Sequence, residues 1–187
     1  SGVTDILIIT NRGKYAIEDY FDYSPEYEET LRKKGKNDII DSLRSAANRA
    51  NIYFIRQKEA RGLGDAVLRA KSFIGSEPFY VLYGDDIIMS EKPVCLQLAE
   101  AYDKYNLAVA GVKEVSAEQI LKYSSLDAKP IPGESNFYHV TDMIEKPKPE
   151  EVITRLSILG RVLLTPDIFD ILSSTKPGAG GEIQLTD

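Results

Sequence analysis

Three short stretches carry the residue types that could do chemistry. Gly84-Asp85-Asp86 directly follows an apolar run, so its carboxylates fall at the end of a buried strand. Two neighbouring acids on extended backbone point to opposite sides, which leaves one for a ligand while the other turns aside. A hard cation such as Mg²⁺ takes one or two carboxylates and completes its shell with phosphate oxygens and water. A solvated pair that caps the next element accounts for the same residues, and phospho-acceptor domains also place acids there. The second stretch is Arg56-Gln57-Lys58-Glu59-Ala60-Arg61-Gly62-Leu63-Gly64. Its glycines let backbone approach a planar ligand, and Gln57 offers a donor and an acceptor that match the edge of a pyrimidine. It is neither a G-x-G-x-x-G fingerprint nor a Walker loop with its lysine, and as an isolated pattern it is explained more readily by a plain strand-to-helix turn. The third is Glu145-Lys146-Pro147-Lys148-Pro149. Here a carboxylate can accept sugar hydroxyl hydrogens beside an ammonium that can neutralise a sugar phosphate, although a charged turn stiffened by prolines has the same composition.

Other chemistries are excluded or weakened. His139 is the single histidine, has no catalytic partner nearby in sequence and reads as structural; Cys95 is the single cysteine. Neither a Ser–His–Asp nor a Cys–His set can be assembled, zinc-type spacing is missing, and no internal disulfide can form. A formal charge of −6 argues against electrostatic binding to nucleic acid. The longest apolar run, Ile6-Leu7-Ile8-Ile9, falls far below the roughly 20 residues of a membrane span. The opening residues Ser1-Gly2-Val3-Thr4-Asp5 lack the basic and apolar regions of a signal peptide, so the cytoplasm is the expected compartment.

The elements that must position these groups alternate in type. With 43% hydrophobic and 28% charged residues over 187 positions, the chain has the balance of one ordinary globular domain. Apolar or β-branched runs at 6–9, 52–55, 79–82, 108–112 and 158–164 predict strands, and 137–144 alternates like a half-exposed one. Helical patterns cover 14–21, 25–48, 62–71, 93–105, 116–123 (with Ser116 as N-cap) and 166–172. Residues 124–136, with Pro130, Pro132 and Gly133, read as a loop or hairpin excursion. Strands alternating with helices predict an α/β fold, a mixed and mainly parallel sheet with helices on both faces. In such sheets ligands lie beyond the carboxyl ends of the strands, which is where the three stretches fall.

Taken in order, several blocks resemble the bacterial UTP–glucose-1-phosphate uridylyltransferases, a branch of the sugar-phosphate nucleotidyltransferases. They are Arg12-Gly13-Lys14 with 17–22, Arg56-Gln57-Lys58 with Gly62-Leu63-Gly64, Gly84-Asp85-Asp86-Ile87-Ile88, Ser90-Glu91-Lys92-Pro93, Glu145-Lys146-Pro147-Lys148-Pro149-Glu150, and 177–187, which ends Gly181-Glu182-Ile183-Gln184-Leu185-Thr186-Asp187. The last block is the most specific, and the likeness covers almost the whole chain. It implies a Rossmann-like nucleotidyltransferase fold that makes UDP-glucose and pyrophosphate from UTP and glucose 1-phosphate. Residue by residue, it implies that Gln57, Ala60 and Gly62 contact the uracil, and that Asp85 holds Mg²⁺ with Asp187 as second carboxylate. Glu145 would bind glucose hydroxyls, and Lys146 would pair with the sugar phosphate. Residues 1–112 would form a nucleotide-binding half and 113–187 a sugar-binding half of one partial domain, for which a homo-oligomer is compatible.

Two departures qualify the resemblance. The family's first strand and its G-x-G-T-R-x-x-P-x-T-K loop have no counterpart in these residues, so the fold is expected without its opening strand and these residues alone with poor activity. Losing even one group that stabilises the transferring phosphoryl costs ~10²–10³ in rate. Where the family has Tyr-Gly against the glucose, this chain has Tyr123-Ser124, and Ser124 would narrow the sugar pocket or shift its specificity. A nucleotidyltransferase for another sugar phosphate or base, a non-catalytic nucleotide-sugar-binding module and, remotely, a phospho-acceptor domain remain the alternatives.

Overall fold

A computed structural model describes residues 2–178 and 181–186. The chain divides into two compact units, Gly2–Arg61 and Gly62–Asp187.

In the first unit, β1 (Asp5–Thr10) runs parallel to β2 (Asn51–Arg56), with Ile6 opposite Ile52 and Ile9 opposite Ile55. A parallel pair needs a crossover, and α1 (Tyr15–Phe21), α2 (Pro25–Lys33) and α3 (Asn37–Ala47) supply it. Proline at its first position starts α2, since the amide it lacks would have no partner there. Leu31 and Ile40 are the buried apolar residues of α2 and α3. Glu28 is only 7% exposed and is held by Arg44 through bonds of 2.9 and 2.7 Å and by Arg32 at 3.1 Å. The 6–9 run is less enclosed than its composition predicts: β1 pairs with β2 alone among the described residues, and Ile6 is exposed.

In the second unit, α4 (Leu63–Arg69) and α5 (Lys71–Ile74) precede β3 (Phe79–Leu82); α6 (Val94–Tyr105) leads to β4 (Val109–Glu114). The hairpin strands β5 (Ser124–Pro130) and β6 (Tyr138–Glu145) follow, then β7 (Leu156–Leu164) and α7 (Ile168–Ser174). β7 lies between β3 and β4 and runs antiparallel to both. Alternation along these strands sends Phe79, Val162 and Leu164 to a core with Val67, Phe169 and Leu172 of α4 and α7. The other face takes α6, where the Tyr80 hydroxyl donates to the Cys95 carbonyl at 2.9 Å. This sheet therefore carries helices on both faces, as the α/β alternation predicts.

The share of parallel pairing is smaller than alternation suggested. Among the described residues only β1 and β2 pair in parallel; the ladders of β3 and β4 with β7, and of β5 with β6, are antiparallel. The reason is that β7 enters between two strands of common direction by way of the hairpin rather than a helical crossover. The 124–136 excursion proves to be the first half of that hairpin. The 116–123 helix shrinks to a 3-10 turn over Ile120–Lys122, preceded by a reciprocal cap. There the Gln119 amide donates to Ser116 Oγ at 3.2 Å, and the Ser116 amide donates to the Gln119 side chain at 3.1 Å.

Candidate active site

β3 ends at Leu82; Tyr83 and then the Gly84-Asp85-Asp86 turn follow. Its neighbour β7 bulges at that level: Ala110 pairs with Val162, but Val112 pairs with Ile158, so β7 fits three residues where β4 has one. Gly160 takes φ +66° within the bulge, a left-handed conformation that glycine adopts without a steric penalty. The Tyr83 amide donates to the Gly160 carbonyl at 2.9 Å. Arg161 donates to the Tyr83 carbonyl at 2.9 Å, to the Gly160 carbonyl at 2.8 Å and to the Asp86 carbonyl. The two acids diverge as expected. Asp86 turns over Gly160, where a Cβ would lie 2.1 Å from its Oδ2. Asp85 is exposed, and its carboxylate makes no hydrogen bond or ion pair among the described residues.

Glu145 closes β6 opposite Ser124. Lys146 then takes φ +48°, which is uncommon for a side chain with a Cβ, and its amide donates to the Tyr123 carbonyl at 2.8 Å. The following Pro147 is buried, which anchors the turn and leaves Glu145 and Lys146 exposed. Tyr83 links this turn to the aspartates. Burial pushes the Tyr83 phenol up, and the carboxylates of Glu145 and Asp86 push it further, so both acids act on one ring.

The glycines after Arg61 serve a contact within the chain. A Cβ on Gly62 (φ +97°) would lie 2.5 Å from the Ile183 carbonyl, and one on Gly64 would lie 2.9 Å from the same oxygen. The Gly64 amide donates to that carbonyl at 2.8 Å. Downstream, Leu185 and Thr186 line a cavity of about 170 Å³ together with Tyr83, Met143, Val109 and Ile158. The terminal block thus runs from Gly62 to the Tyr83 end of the sheet. Asp187, the expected second metal carboxylate, lies outside the described residues.

Gln57 and Ala60 belong to the first unit, at the end of β2. The Gln57 amide donates to the Thr10 carbonyl at 2.8 Å, extending the β1–β2 ladder by one residue; Ala60 is exposed. Ser124 is 4% exposed, with its hydroxyl 3.3 Å from that of Ser157 and accepting from the Ile158 amide at 3.5 Å. The hydroxyl is therefore committed within the protein. His139 sits exposed on β6 opposite Lys129. Sequence reasoning passed over Tyr83, Gly160 and Arg161. The available signal was a glycine inside the apolar 158–164 run, which in a strand marks a bulge or a close backbone approach.

The sequence matches the nucleotidyl transferase family over residues 1–187. The chain belongs to the nucleotidyl transferase family. It is 49% identical to the UTP–glucose-1-phosphate uridylyltransferase YngB of Bacillus subtilis (strain 168) and 46% identical to the UTP–glucose-1-phosphate uridylyltransferase of the same organism, all of this chain aligning with each. It spans 62% and 63% of the lengths of those relatives. A solved UDP-glucose pyrophosphorylase complexed with UDP-glucose superposes with a TM-score of 0.86 at 37% identity, over 100% of this chain and 67% of that one. The α/β nucleotidyltransferase fold is thereby established for this family member. No helix among the described residues is long and apolar enough to cross a membrane.

Proposed function

We propose that the protein carrying this chain is a uridylyltransferase that forms UDP-glucose and pyrophosphate from UTP and glucose 1-phosphate in the cytoplasm. The observation that carries the reading is the exposed carboxylate of Asp85 just beyond the end of β3, which makes no hydrogen bond or ion pair among the described residues. It is supported by identity along the whole chain to relatives named for that reaction. A phosphate oxygen of glucose 1-phosphate attacks the α-phosphorus of UTP in line; one P–O bond forms, and the bond to the β-phosphate breaks to release pyrophosphate. Such a transfer asks a protein mainly for positioning and charge balance.

Residues 1–112 supply the nucleotide half: Gln57 and Ala60, with backbone at Gly62, hold the uracil. Residues 113–187 supply the sugar half. Glu145 accepts hydrogen bonds from glucose hydroxyls, and the Lys146 ammonium neutralises the phosphate. Ser124 acts through the shape of the strand under the sugar, since its hydroxyl is committed to Ser157. Asp85 suits Mg²⁺, being an exposed carboxylate beyond a strand end with no hydrogen-bond or ion-pair partner among the described residues. Among the described residues no group of three or more His, Cys, Asp or Glu could hold a metal ion. Asp187, phosphate oxygens and water would complete the shell. When bound, the ion offsets charge on the phosphates.

The test is turnover of the purified protein with UTP, glucose 1-phosphate and Mg²⁺, with dTTP, ATP and galactose 1-phosphate as competing substrates. Thermal protection by UDP-glucose is followed in parallel, because a ligand stabilises according to its concentration over Kd. UDP-glucose formed in preference to the other products supports the reading. The absence of both turnover and protection would overturn it, and protection without turnover would identify a binding module.

A further inference from the structure

We infer that the β7 bulge, through Gly160 and Arg161, is the device that positions Asp85. Arg161 holds the Gly84–Asp86 turn in one shape, and Gly160 provides the space into which Asp86 turns, so that Asp85 alone is offered to a divalent cation. This rests on the reading of Asp85 as the cation ligand.

Where β3 stops, the ladder no longer serves the carbonyls of Tyr83 and Asp86: the Asp86 amide reaches the Tyr83 carbonyl at 3.3 Å, and no backbone amide among the described residues donates to the Asp86 carbonyl. Arg161, whose Cα lies opposite Leu82, reaches both. A guanidinium is a planar fork with five donors, so one side chain can span carbonyls on either side of a turn, and a lysine ammonium is a single point that cannot match that geometry. The guanidinium also donates to the Gly160 carbonyl at 2.8 Å, which ties the fork back to the bulge that carries it.

The charges are arranged to the same end. Arg161 binds carbonyls, and no ion pair joins it to Asp85 or Asp86 among the described residues, so the charge of Asp85 is not consumed by the residue that fixes its backbone. Gly160 completes the selection. A Cβ there would lie 2.1 Å from Asp86 Oδ2 and 2.9 Å from Tyr83 Cδ2. Any side chain at 160 would expel the Asp86 carboxylate from its place and press on the Tyr83 ring. Bulges beside functional sites commonly re-aim side chains in this way.

The experiment measures Mn²⁺ binding by electron paramagnetic resonance on the protein saturated with UDP-glucose, together with kcat, KM for UTP and the half-saturating Mg²⁺ concentration. The variants are Asp85→Asn, Arg161→Met, Arg161→Lys and Gly160→Ala. Asp85→Asn is expected to abolish Mn²⁺ binding. Arg161→Met is expected to weaken Mn²⁺ binding and lower kcat by ~10–100-fold, the usual cost of removing a group that orients a metal ligand, with KM for UTP at the wild-type value. Arg161→Lys, which keeps the charge and tolerates folding losses best, should recover part of the Mn²⁺ affinity. Gly160→Ala should resemble Arg161→Met. Wild-type Mn²⁺ affinity in Arg161→Met and Arg161→Lys, whatever their Tm, would overturn the inference, while loss of Mn²⁺ binding in Asp85→Asn would leave the metal reading intact. Unchanged Mn²⁺ binding in Asp85→Asn would instead overturn the metal reading itself. Should Arg161→Met fail to fold, Arg161→Lys decides the question.

Discussion

Arginine meets acid in both units, and the two arrangements have opposite consequences. In the helical layer of Gly2–Arg61, Arg44 and Arg32 bond directly to the buried carboxylate of Glu28. In Gly62–Asp187, Arg161 bonds to carbonyls on both sides of an acidic turn and leaves the carboxylate of Asp85 exposed. A bidentate pair neutralises an acid and makes it a brace between helices. Donors spent on the surrounding backbone fix an acid in space and keep its charge for a ligand. The position of the acid in sequence does not separate these cases; what the guanidinium touches does.

The comparison breaks first at Asp85. Asp85→Asn removes the charge that the turn presents and should lower kcat by ~10²–10³, the scale of losing one group that stabilises a transferring phosphoryl, with Tm unchanged. A variant with full activity would place Asp85 with Glu28 among the structural acids.

Gly62→Ala comes next and tests whether the terminal block depends on backbone contact rather than charge. At φ +97° and ψ 173° the residue occupies a region reserved for glycine. Strain there is of order 1–3 kcal/mol, to be read from the shift of a urea unfolding curve. An unshifted midpoint would show that the Ile183 contact is dispensable.

Glu28→Gln should lower Tm while leaving kcat where it was, the converse of Asp85→Asn. The hydrogen bonds from Arg44, the first cause, hold the Glu28 carboxyl below the ordinary value of 4.5 against the opposing effect of burial. The unfolded chain therefore takes up the proton first. The stability that the pair contributes is complete above the ordinary glutamate range and is lost as pH falls through the lower folded value. The Tm gap between wild type and Glu28→Gln should accordingly be widest near neutrality and close in acid. A gap that stays constant with pH would mean that packing, not charge, makes Glu28 a brace.

Ser124→Ala has the smallest expected effect. Removing the hydroxyl that joins Ser157 and the Ile158 amide costs ~1 kcal/mol of stability, measurable by denaturant unfolding, with KM for glucose 1-phosphate unchanged. A raised KM would show instead that the hydroxyl reaches the sugar.

Much of this was legible in the residues. The apolar runs placed β1, β2, β3, β4 and β7, because burying such runs is what strands of these lengths do. Gly84-Asp85-Asp86 and Glu145-Lys146-Pro147 marked the ends of β3 and β6 as the edge proposed to bind ligand. What composition could not reveal was strand direction, since an apolar run reads the same whichever way its neighbour runs. For the same reason the hairpin insertion of β7 between β3 and β4 reduced the parallel content below expectation. Nor could it reveal that Arg161 and Tyr83, remote from each other in sequence, share a turn.

By itself, then, the order of residue types determined the family, the alternation of elements and the acids proposed to serve a cation and a sugar. Those depend on local periodicity and on chemistry that each side chain carries wherever it sits. Tertiary structure alone decided which acid is neutralised and which is kept available, because that depends on donors brought from distant strands and helices. A bulge at Gly160 turned Asp86 aside; a fork from Arg161 fixed the backbone of Asp85; and Gly62 took the Ile183 carbonyl where a side chain would have stood.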